Sequence, residues 1–374
     1  MRIPIYIFVG DWGASGVVSW AYRVRDIYAD DRKYEARIVC LSKRRPIQIK
    51  YDDHLTSLDE LESIIPKNRP SISITNGVWE IVPPIVKLID EGYPIYPLGF
   101  CRAFSDDEYF IPLKGLESIF PSIISVSKEC TEELKRILPH RPERRIYTRP
   151  TGIIRPTKNP FEIPSKIAHF VYTGRFHRIQ KRIQDFILLL KALDKTSIDY
   201  QFHFYGSGSD QGLLEEGIAK QVESGRAIIH GRLSPDKINE AYTNKHFFVQ
   251  LSEYEGTSNS MLEAMSHGLI PLVTNTGSGV DGLLEEGVNG HMVEIGAPEK
   301  LASLSEALLE NPKQMKKMSR RAYKTTRAFG MRRYKKDFSK ALNQYLKKGF
   351  NADFPLTVDS IQQLDYCRPV IFKP

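Results

Sequence analysis

A chain of 374 residues with 41% apolar side chains has the length of about two domains and too much apolar content for a disordered polypeptide. No apolar run approaches the ~18 residues of a membrane-crossing helix, and Cys40, Cys101, Cys130 and Cys367 are too scattered for a disulfide framework or a zinc site, so a cytoplasmic protein is expected. The net charge of +8 is uneven: residues 1–155 hold 23 Lys/Arg against 21 Asp/Glu, whereas residues 311–350 hold 14 against a single acid, Asp337.

In chain order, residues 3–9 read as a buried strand rather than a signal peptide, being too short for one. The loop Gly10-Asp11-Trp12-Gly13-Ala14-Ser15-Gly16 leads into a helix over about 17–28. Glycine at such a strand-to-helix turn lets backbone approach a phosphate, although the spacing is not Gly-x-Gly-x-x-Gly and a plain tight turn fits as well. Strands follow at 35–41, 71–75, 93–98, 122–127 and 145–148. Lys43-Arg44-Arg45-Pro46 begins a loop. Helices are expected at 57–65, ended by Pro66, after Asn76-Gly77 with a break at Pro83-Pro84, within 106–119, and at 128–138 behind Ser127 as N-cap. This alternation argues a parallel sheet covered by helices on both faces.

Pro150, Pro156, Pro160 and Pro164 mark a linker, and the alternation then restarts. Strands at 167–173, 200–205 and 227–229 end in Gly174-Arg175, Gly206-Ser207-Gly208 and His230-Gly231. Ser234 caps the next helix, with Pro235 at its first position, and another helix runs from about 181 to 193. After Pro298 the chain is helical to about residue 348, interrupted near Asn311-Pro312 and Gly330; the tail 351–374 shows little periodicity. Ligands of open α/β sheets bind outside the carboxyl ends of the strands, where every one of these glycine clusters falls.

The densest signal lies between residues 251 and 290. A strand ending at Leu251, a turn with Glu255-Gly256 and a helix from Ser258 to about His267 together make an anion site, because helix-end N–H groups and the dipole both favour a phosphate. Glu263, within that helix, can accept hydrogen bonds from ribose hydroxyls, and Glu255 can hold a sugar. Two glutamates alone are equally well explained as ordinary helix acids.

The longer pattern decides between these readings. Glu255-Gly256, seven residues between Glu255 and Glu263, Leu262-Glu263-Ala264-Met265, Gly268, Pro271 and Gly277-Ser278-Gly279 together resemble the donor-site signature of the retaining GT-B glycosyltransferases, glycosyltransferase family 4. The resemblance implies an α/β GT-B fold: two Rossmann-like domains facing a cleft, with C-terminal helices crossing back to the first. Residues 1–152 would form the acceptor-side domain, 153–164 a linker, 165–330 the donor domain, and 331–374 the returning segment. It implies a metal-independent, retaining hexosyltransferase using a UDP- or GDP-linked sugar as substrate, with no cofactor and with a glycan or lipid-linked acceptor. Surface polysaccharide or glycoconjugate synthesis is the expected setting.

The resemblance also implies a site. Glu255, Arg175 and Lys181 would carry the chemistry. The donor would lie against Gly16, Gly174, Arg175, Lys181, Gly206, Gly231, Leu233, Glu255, Gly256, Thr257, Ser258, Asn259, Ser260 and Glu263. Arg175 and Lys181, six residues apart, suit a diphosphate clamp. Two departures stand out. Lys181 is followed by Arg182 where the family usually has glycine. No histidine ends the strand leading to Gly99-Phe100-Cys101-Arg102, and Asn76 stands where another histidine often occurs. Asn76, Arg102 and Asp106 are therefore the acceptor-side candidates. A nucleotide-sugar epimerase of the same fold, or an inactive polyanion- or membrane-binding relative, are the alternative readings.

Lys313, Lys316, Lys317, Arg320, Arg321, Lys324, Arg327, Arg332, Arg333, Lys335 and Lys336 fall in the basic run, which suits an anionic membrane surface over 313–348, an acidic glycan or a solvated helix face. Arg136, His140, Arg141, Arg144 and Arg145 form a smaller cluster. The chain contains neither an Asp-x-Asp nor a metal-spaced histidine cluster, so no metal is expected, and no nucleic-acid motif accompanies the charge.

Overall fold

A computed structural model describes residues 1–10, 16–42, 51–139, 145–164, 166–234, 237–277, 280, 282–347 and 357–367. Several expectations lie outside these residues: the loop 11–15, the Lys43-Arg44-Arg45-Pro46 loop, His140, Arg141 and Arg144, Pro235, the Ser278-Gly279 turn, Lys348 and most of the tail. The chain forms two compact units, one of residues 1–152 with 331–374 and one of residues 153–330.

The first unit is built on a seven-stranded parallel sheet of β1 (Ile3–Gly10), β2 (Tyr34–Leu41), β3 (Asp53–Leu55), β4 (Ser71–Ile74), β5 (Ile95–Cys101), β6 (Ser122–Ser125) and β7 (Arg145–Thr148), in the order β3-β2-β1-β4-β5-β6-β7. β1 is buried from Pro4 to Gly10, which is why it reads as a nearly unbroken apolar run: helices cover both of its faces. One cover is the helix Gly16–Tyr28. The other half of that layer comes from the far end of the chain, the helix Met331–Lys347. Trp20 Nε1 donates to Tyr334 Oη at 2.8 Å, Tyr345 Oη donates to the Pro97 carbonyl at 2.7 Å, and Tyr28 shares a hydrogen bond with Ser339 at 2.7 Å. Phe338 packs edge-on against Trp20. Apolar burial draws the helix back to this unit, and buried hydroxyls that need partners fix its register.

The second unit holds a six-stranded parallel sheet of β8 (Ala168–Thr173), β9 (Tyr200–Tyr205), β10 (Ala227–Gly231), β11 (Phe247–Gln250), β12 (Ile270–Thr274) and β13 (His291–Val293), ordered β10-β9-β8-β11-β12-β13. The period-2 alternation of β8 and β9 separates two faces. Phe170, Tyr172, Phe202 and Phe204 enter one core with Phe176 and Phe186. On the opposite face four histidines stand side by side: His169 Nδ1 and His203 Nε2 are 3.1 Å apart, and His203 Nδ1 and His230 Nε2 are 3.0 Å apart. The backbone N–H of His169 donates to His246 Nδ1 at 2.9 Å.

Local departures from the expected elements have simple causes. Pro83 and Pro84 do not break a helix; they sit in the first turn of Val82–Asp90, where a missing N–H costs nothing. The helix expected from Lys181 is two pieces, Arg178–Lys181 and Ile183–Leu193. β3 and β13 have three residues each, too few to show a period. In the tail, Thr357 caps a short helix, Val358–Gln362, whose Ile361 is fully buried with Cys367 in the core around Trp79. Among the described residues no helix is long and apolar enough to cross a membrane.

The histidine row makes stability depend on acid. Burial, reinforced by Lys245, lowers His203 to about 3, and burial with His169 and Lys245 lowers His246 to about 4. His169 and His230 shift in the same direction. A folded value below that of the unfolded chain stabilises fully above the unfolded value, near 6.5, and less as pH falls toward the folded values. Melting should therefore be constant above pH 7. Between pH 6.5 and 4 it should fall by roughly 1 kcal/mol per pH unit for each of His203 and His246. In His203→Gln that slope should be shallower in urea unfolding followed across pH; an unchanged slope would exclude the row as its source.

Candidate functional site

The site elements of the second unit lie at the carboxyl ends of its parallel strands. Three of these ends are joined by backbone hydrogen bonds. The Gly174 N–H donates to the Tyr205 carbonyl at 3.0 Å, and the Gly206 N–H donates to the Gly231 carbonyl at 2.8 Å. A Cβ on Gly206 would lie 1.8 Å from the Gly174 oxygen, and φ there is +155°, so no other residue fits. Leu233 follows β10, half-buried. Arg232 Nε donates to Ser207 Oγ at 2.5 Å, tying that segment to the turn after β9.

Beyond β8, Arg175 is exposed and donates through Nη2 to Gln180 Oε1 at 2.7 Å, while its carbonyl accepts from Tyr172 Oη at 2.7 Å. Gln180 in turn accepts the Glu253 N–H at 2.8 Å, which draws the turn after β11 onto the turn after β8. Lys181 and Glu255 therefore meet, although 74 residues apart. Lys181 Nζ donates to Glu255 Oε1 at 2.5 Å, with both side chains largely buried. The same oxygen accepts from Ser252 Oγ at 2.6 Å, and the Ser252 carbonyl accepts from Thr274 Oγ1 at 2.7 Å. Glu255 Oε2 has no hydrogen-bond partner among the described residues. One carboxylate oxygen is thus fixed by the protein and the other remains an acceptor.

Arg182, the residue after Lys181, adopts φ +45° and ψ +49°, the left-handed conformation that glycine takes without strain. This explains how the motif persists without glycine: the backbone is the one glycine favours, and the arginine is held there by ion pairs. Its guanidinium meets Asp185 at 2.7 Å and Glu253 at 2.7 Å. Asp185 is only 2% exposed, so it depends on that cation.

Gly256 and Thr257 lead to Ser258, which caps the helix Asn259–Ser266 by accepting the Met261 N–H at 3.2 Å. Ser258 Oγ also donates to Gln250 Oε1 at 2.5 Å, so its hydroxyl serves the turn. Asn259 and Ser260 occupy the first turn, at the positive end of the dipole. Glu263 lies one turn further on and is 5% exposed; its carboxylate accepts from Tyr242 Oη at 3.3 Å, and Tyr242 shares a 2.7 Å hydrogen bond with Thr173. Tyr242, Thr173, Ser252 and Gln180 carried no motif signal, since each acts through a neighbour distant in sequence.

The remaining candidates belong to the first unit. Gly16 opens the helix after β1. Asn76, after β4, is fully buried and has φ +54°. Arg102, after β5, donates through Nε to Asn76 Oδ1. Asp106 is not joined to them: it stands exposed at the head of the π-helical turn Asp106–Phe110.

The basic run is not one surface element. Its first part is the helix Pro312–Thr325 of the second unit and its second part is Met331–Lys347 of the first. On Pro312–Thr325, Lys313, Lys316, Lys317, Arg320, Arg321 and Lys324 are all exposed, and none pairs with a carboxylate among the described residues. Lys313, Lys317 and Arg321, at intervals of four, line one groove of about 400 Å³ with Gly287 and Asn311.

Residues 154–325 match the family described as glycosyl transferases group 1. The chain is 22% identical over 244 residues to a poly(glycerol-phosphate) alpha-glucosyltransferase of Bacillus subtilis (strain 168), covering 64% of this chain and 34% of that protein. It is 32% identical over 138 residues to a lipopolysaccharide 1,6-galactosyltransferase of Salmonella typhimurium (strain LT2), covering 35% of this chain and 37% of the relative. The matched part thus spans about a third of these relatives' own length. Among solved structures, the pneumococcal O-GlcNAc transferase in complex with UDP and GlcNAc superposes with a TM-score of 0.73 at 12% identity, over 92% of this chain and 99% of that one. Its likeness shows the GT-B fold, two Rossmann-like domains each on a parallel sheet.

The Arg182 geometry gives a stability test. Arg182→Gly should relax the backbone yet destabilise the protein by roughly 2 kcal/mol, because the buried Asp185 loses its cation. Arg182→Gly with Asp185→Asn should recover most of that loss. Denaturant titration of both variants decides it, and a stabilised single variant would show that strain outweighs the ion pairs.

Proposed function

We propose that this chain, whose second unit belongs to the glycosyl transferases group 1 family, transfers a sugar from a nucleotide-sugar donor to a hydroxyl of a glycan or lipid-linked acceptor. The observation that carries the reading is the buried Lys181–Glu255 pair, set beside the N-terminus of the helix that bears Glu263. A cation, a carboxylate with one open oxygen, a helix N-terminus and a second buried carboxylate suit four parts of one molecule. These are its diphosphate, sugar hydroxyls, phosphate oxygens and ribose.

In this reading Glu263, oriented by Tyr242, accepts the ribose hydroxyls. Glu255 accepts sugar hydroxyls through Oε2 while Lys181 and Ser252 hold Oε1. In the reaction the bond between the anomeric carbon and the diphosphate oxygen breaks, and the acceptor oxygen forms the new bond to that carbon. The acceptor's proton leaves with the nucleoside diphosphate. Arg175, Lys181 and the N–H groups of the first turn of Asn259–Ser266 meet the charge that builds on the leaving group; such preorganised donors are worth most where water is excluded. Retention of anomeric configuration and independence of metal rest on the resemblance of the motif. Gly174, Gly206 and Gly231 supply close backbone approach, with Leu233 beside the nucleobase. A UDP-linked donor suits the UDP held by the O-GlcNAc transferase structure, a GDP-linked one rests on the resemblance of the motif, and a role in surface polysaccharide or glycoconjugate assembly suits the relatives' printed activities.

Calorimetry against a panel of UDP- and GDP-sugars tests this. One donor class should bind, and Glu263→Ala and Arg175→Ala should each weaken it about tenfold or more, as expected for loss of a charge-assisted hydrogen bond. Wild-type affinity in both variants would refute the site.

The exposed cations of Pro312–Thr325 favour a peripheral position on an anionic, cytoplasmic membrane face. Basic residues near such a surface contribute about 1 kcal/mol each. Binding to vesicles of phosphatidylcholine with phosphatidylserine should rise with phosphatidylserine content and fall between 50 mM and 500 mM salt. Lys313→Glu with Lys317→Glu should weaken it strongly. Binding that ignores salt and lipid charge would remove the electrostatic role.

A further inference from the structure

The first unit contains a half-buried cation that the transfer reading leaves without a task. Arg102 rests in the corner formed by two touching rings, its guanidinium carbon 3.8 Å from the Trp20 ring centroid and 4.1 Å from that of Phe100. Its Nε donates to Asn76 Oδ1, but its Nη2 and the Asn76 Nδ2 are both shut off from solvent with no hydrogen-bond partner. Arg149, after β7, repeats the situation: Nη1 donates to the Thr148 carbonyl at 2.7 Å, and Nε is buried without a partner. Both arginines bear on the same buried hydroxyl, that of Tyr334, which is already an acceptor for Trp20.

No carboxylate pairs with Arg102 or Arg149 among the described residues, and the groups acting on Arg102 are two tyrosines and a cysteine. Burial lowers Arg102 to about 10, so it still carries its charge at neutral pH. A half-buried cation without an anion, and three buried N–H donors without acceptors, are each costly. Native proteins keep such arrangements where something else completes them. Asn76 adds a second cost, since its left-handed backbone is held at full burial and its amide is turned so that the oxygen faces Arg102. The side-chain positions lie after β4, β5 and β7, the carboxyl edge of the parallel sheet where such folds bind ligands.

We infer that Asn76, Arg102 and Arg149 form a recognition site in the first unit for a small oxyanion, a phosphate or carboxylate group. A planar guanidinium backed by two rings, with an amide N–H beside it, suits an anion with at least two acceptor oxygens. The site does not depend on the transfer reading. Its assignment to the acceptor does rest on that reading, and would make the acceptor an anionic one, such as a polyol phosphate or a uronic acid.

The test follows melting of the full chain, at constant ionic strength, with inorganic phosphate, glycerol phosphate or glucuronate against chloride. A saturable rise of roughly 2–4 °C is expected with at least one of them. Phosphate and glycerol phosphate acting without glucuronate identify a phosphate site, and the reverse a carboxylate site. Asn76→Asp places a carboxylate on Arg102 at unchanged size, so it should melt higher than wild type and lose the response. Arg102→Lys, which keeps charge but not the planar fork, should retain a weaker response. Binding of UDP and GDP is measured alongside: the Asn76→Asp variant should bind either as wild type does, which shows an intact second unit. Failure of the wild type to bind either nucleotide bears on the transfer reading alone. Indifference of the wild type to all three anions overturns the inference. So does a wild-type response in Asn76→Asp, or a response lost in Arg175→Ala and kept in Asn76→Asp.

Discussion

The second unit is organised around the buried contact between Lys181 and Glu255. Neither group is tolerable alone at that depth, so the turns after β8 and β11 must meet with little freedom. The surrounding bonds all serve this meeting. The Glu253 N–H reaches the Gln180 carbonyl, Ser252 shares the Glu255 oxygen, and Thr274 holds Ser252 from β12. Arg182 accepts a left-handed backbone to keep Lys181 in place, and Asp185 and Glu253 hold it there. Strain at one residue is thus borne by charge pairing at two others, a common arrangement where a side chain must be aimed.

Glycine acts differently at the neighbouring strand ends. At Gly206 the chain passes so close to Gly174 that a side chain is excluded, and backbone hydrogen bonds link the strand ends at Gly174, Gly206 and Gly231. The first unit shows the opposite design at its own strand ends, where Asn76, Arg102 and Arg149 bring polar atoms into burial.

The parts of the site legible in the sequence are those encoded by short-range spacing. Glu255-Gly256, Leu262-Glu263-Ala264-Met265 and the glycines after each strand are local because a turn and a helix N-terminus are local. Tyr242, which orients Glu263, and Ser252, which fixes Glu255, left no pattern: a tyrosine and a serine are common, and their role comes from what folding places beside them. The basic run illustrates the converse. As a sequence it is one feature; in the structure it is two helices in two units, because the apolar face of Met331–Lys347 belongs with Trp20 and Tyr28.

By itself the sequence determined the class of fold and the repeated strand–helix alternation, since each depends on backbone preference or side-chain period over a few residues. Tertiary structure alone decided the strand orders and the histidine row across β8 to β11. It alone decided that Lys181 lies on Glu255 and Arg102 on Asn76. These are pairings between distant residues, selected by the burial of apolar faces and by the need of each buried polar group for a partner, and no local spacing carries them.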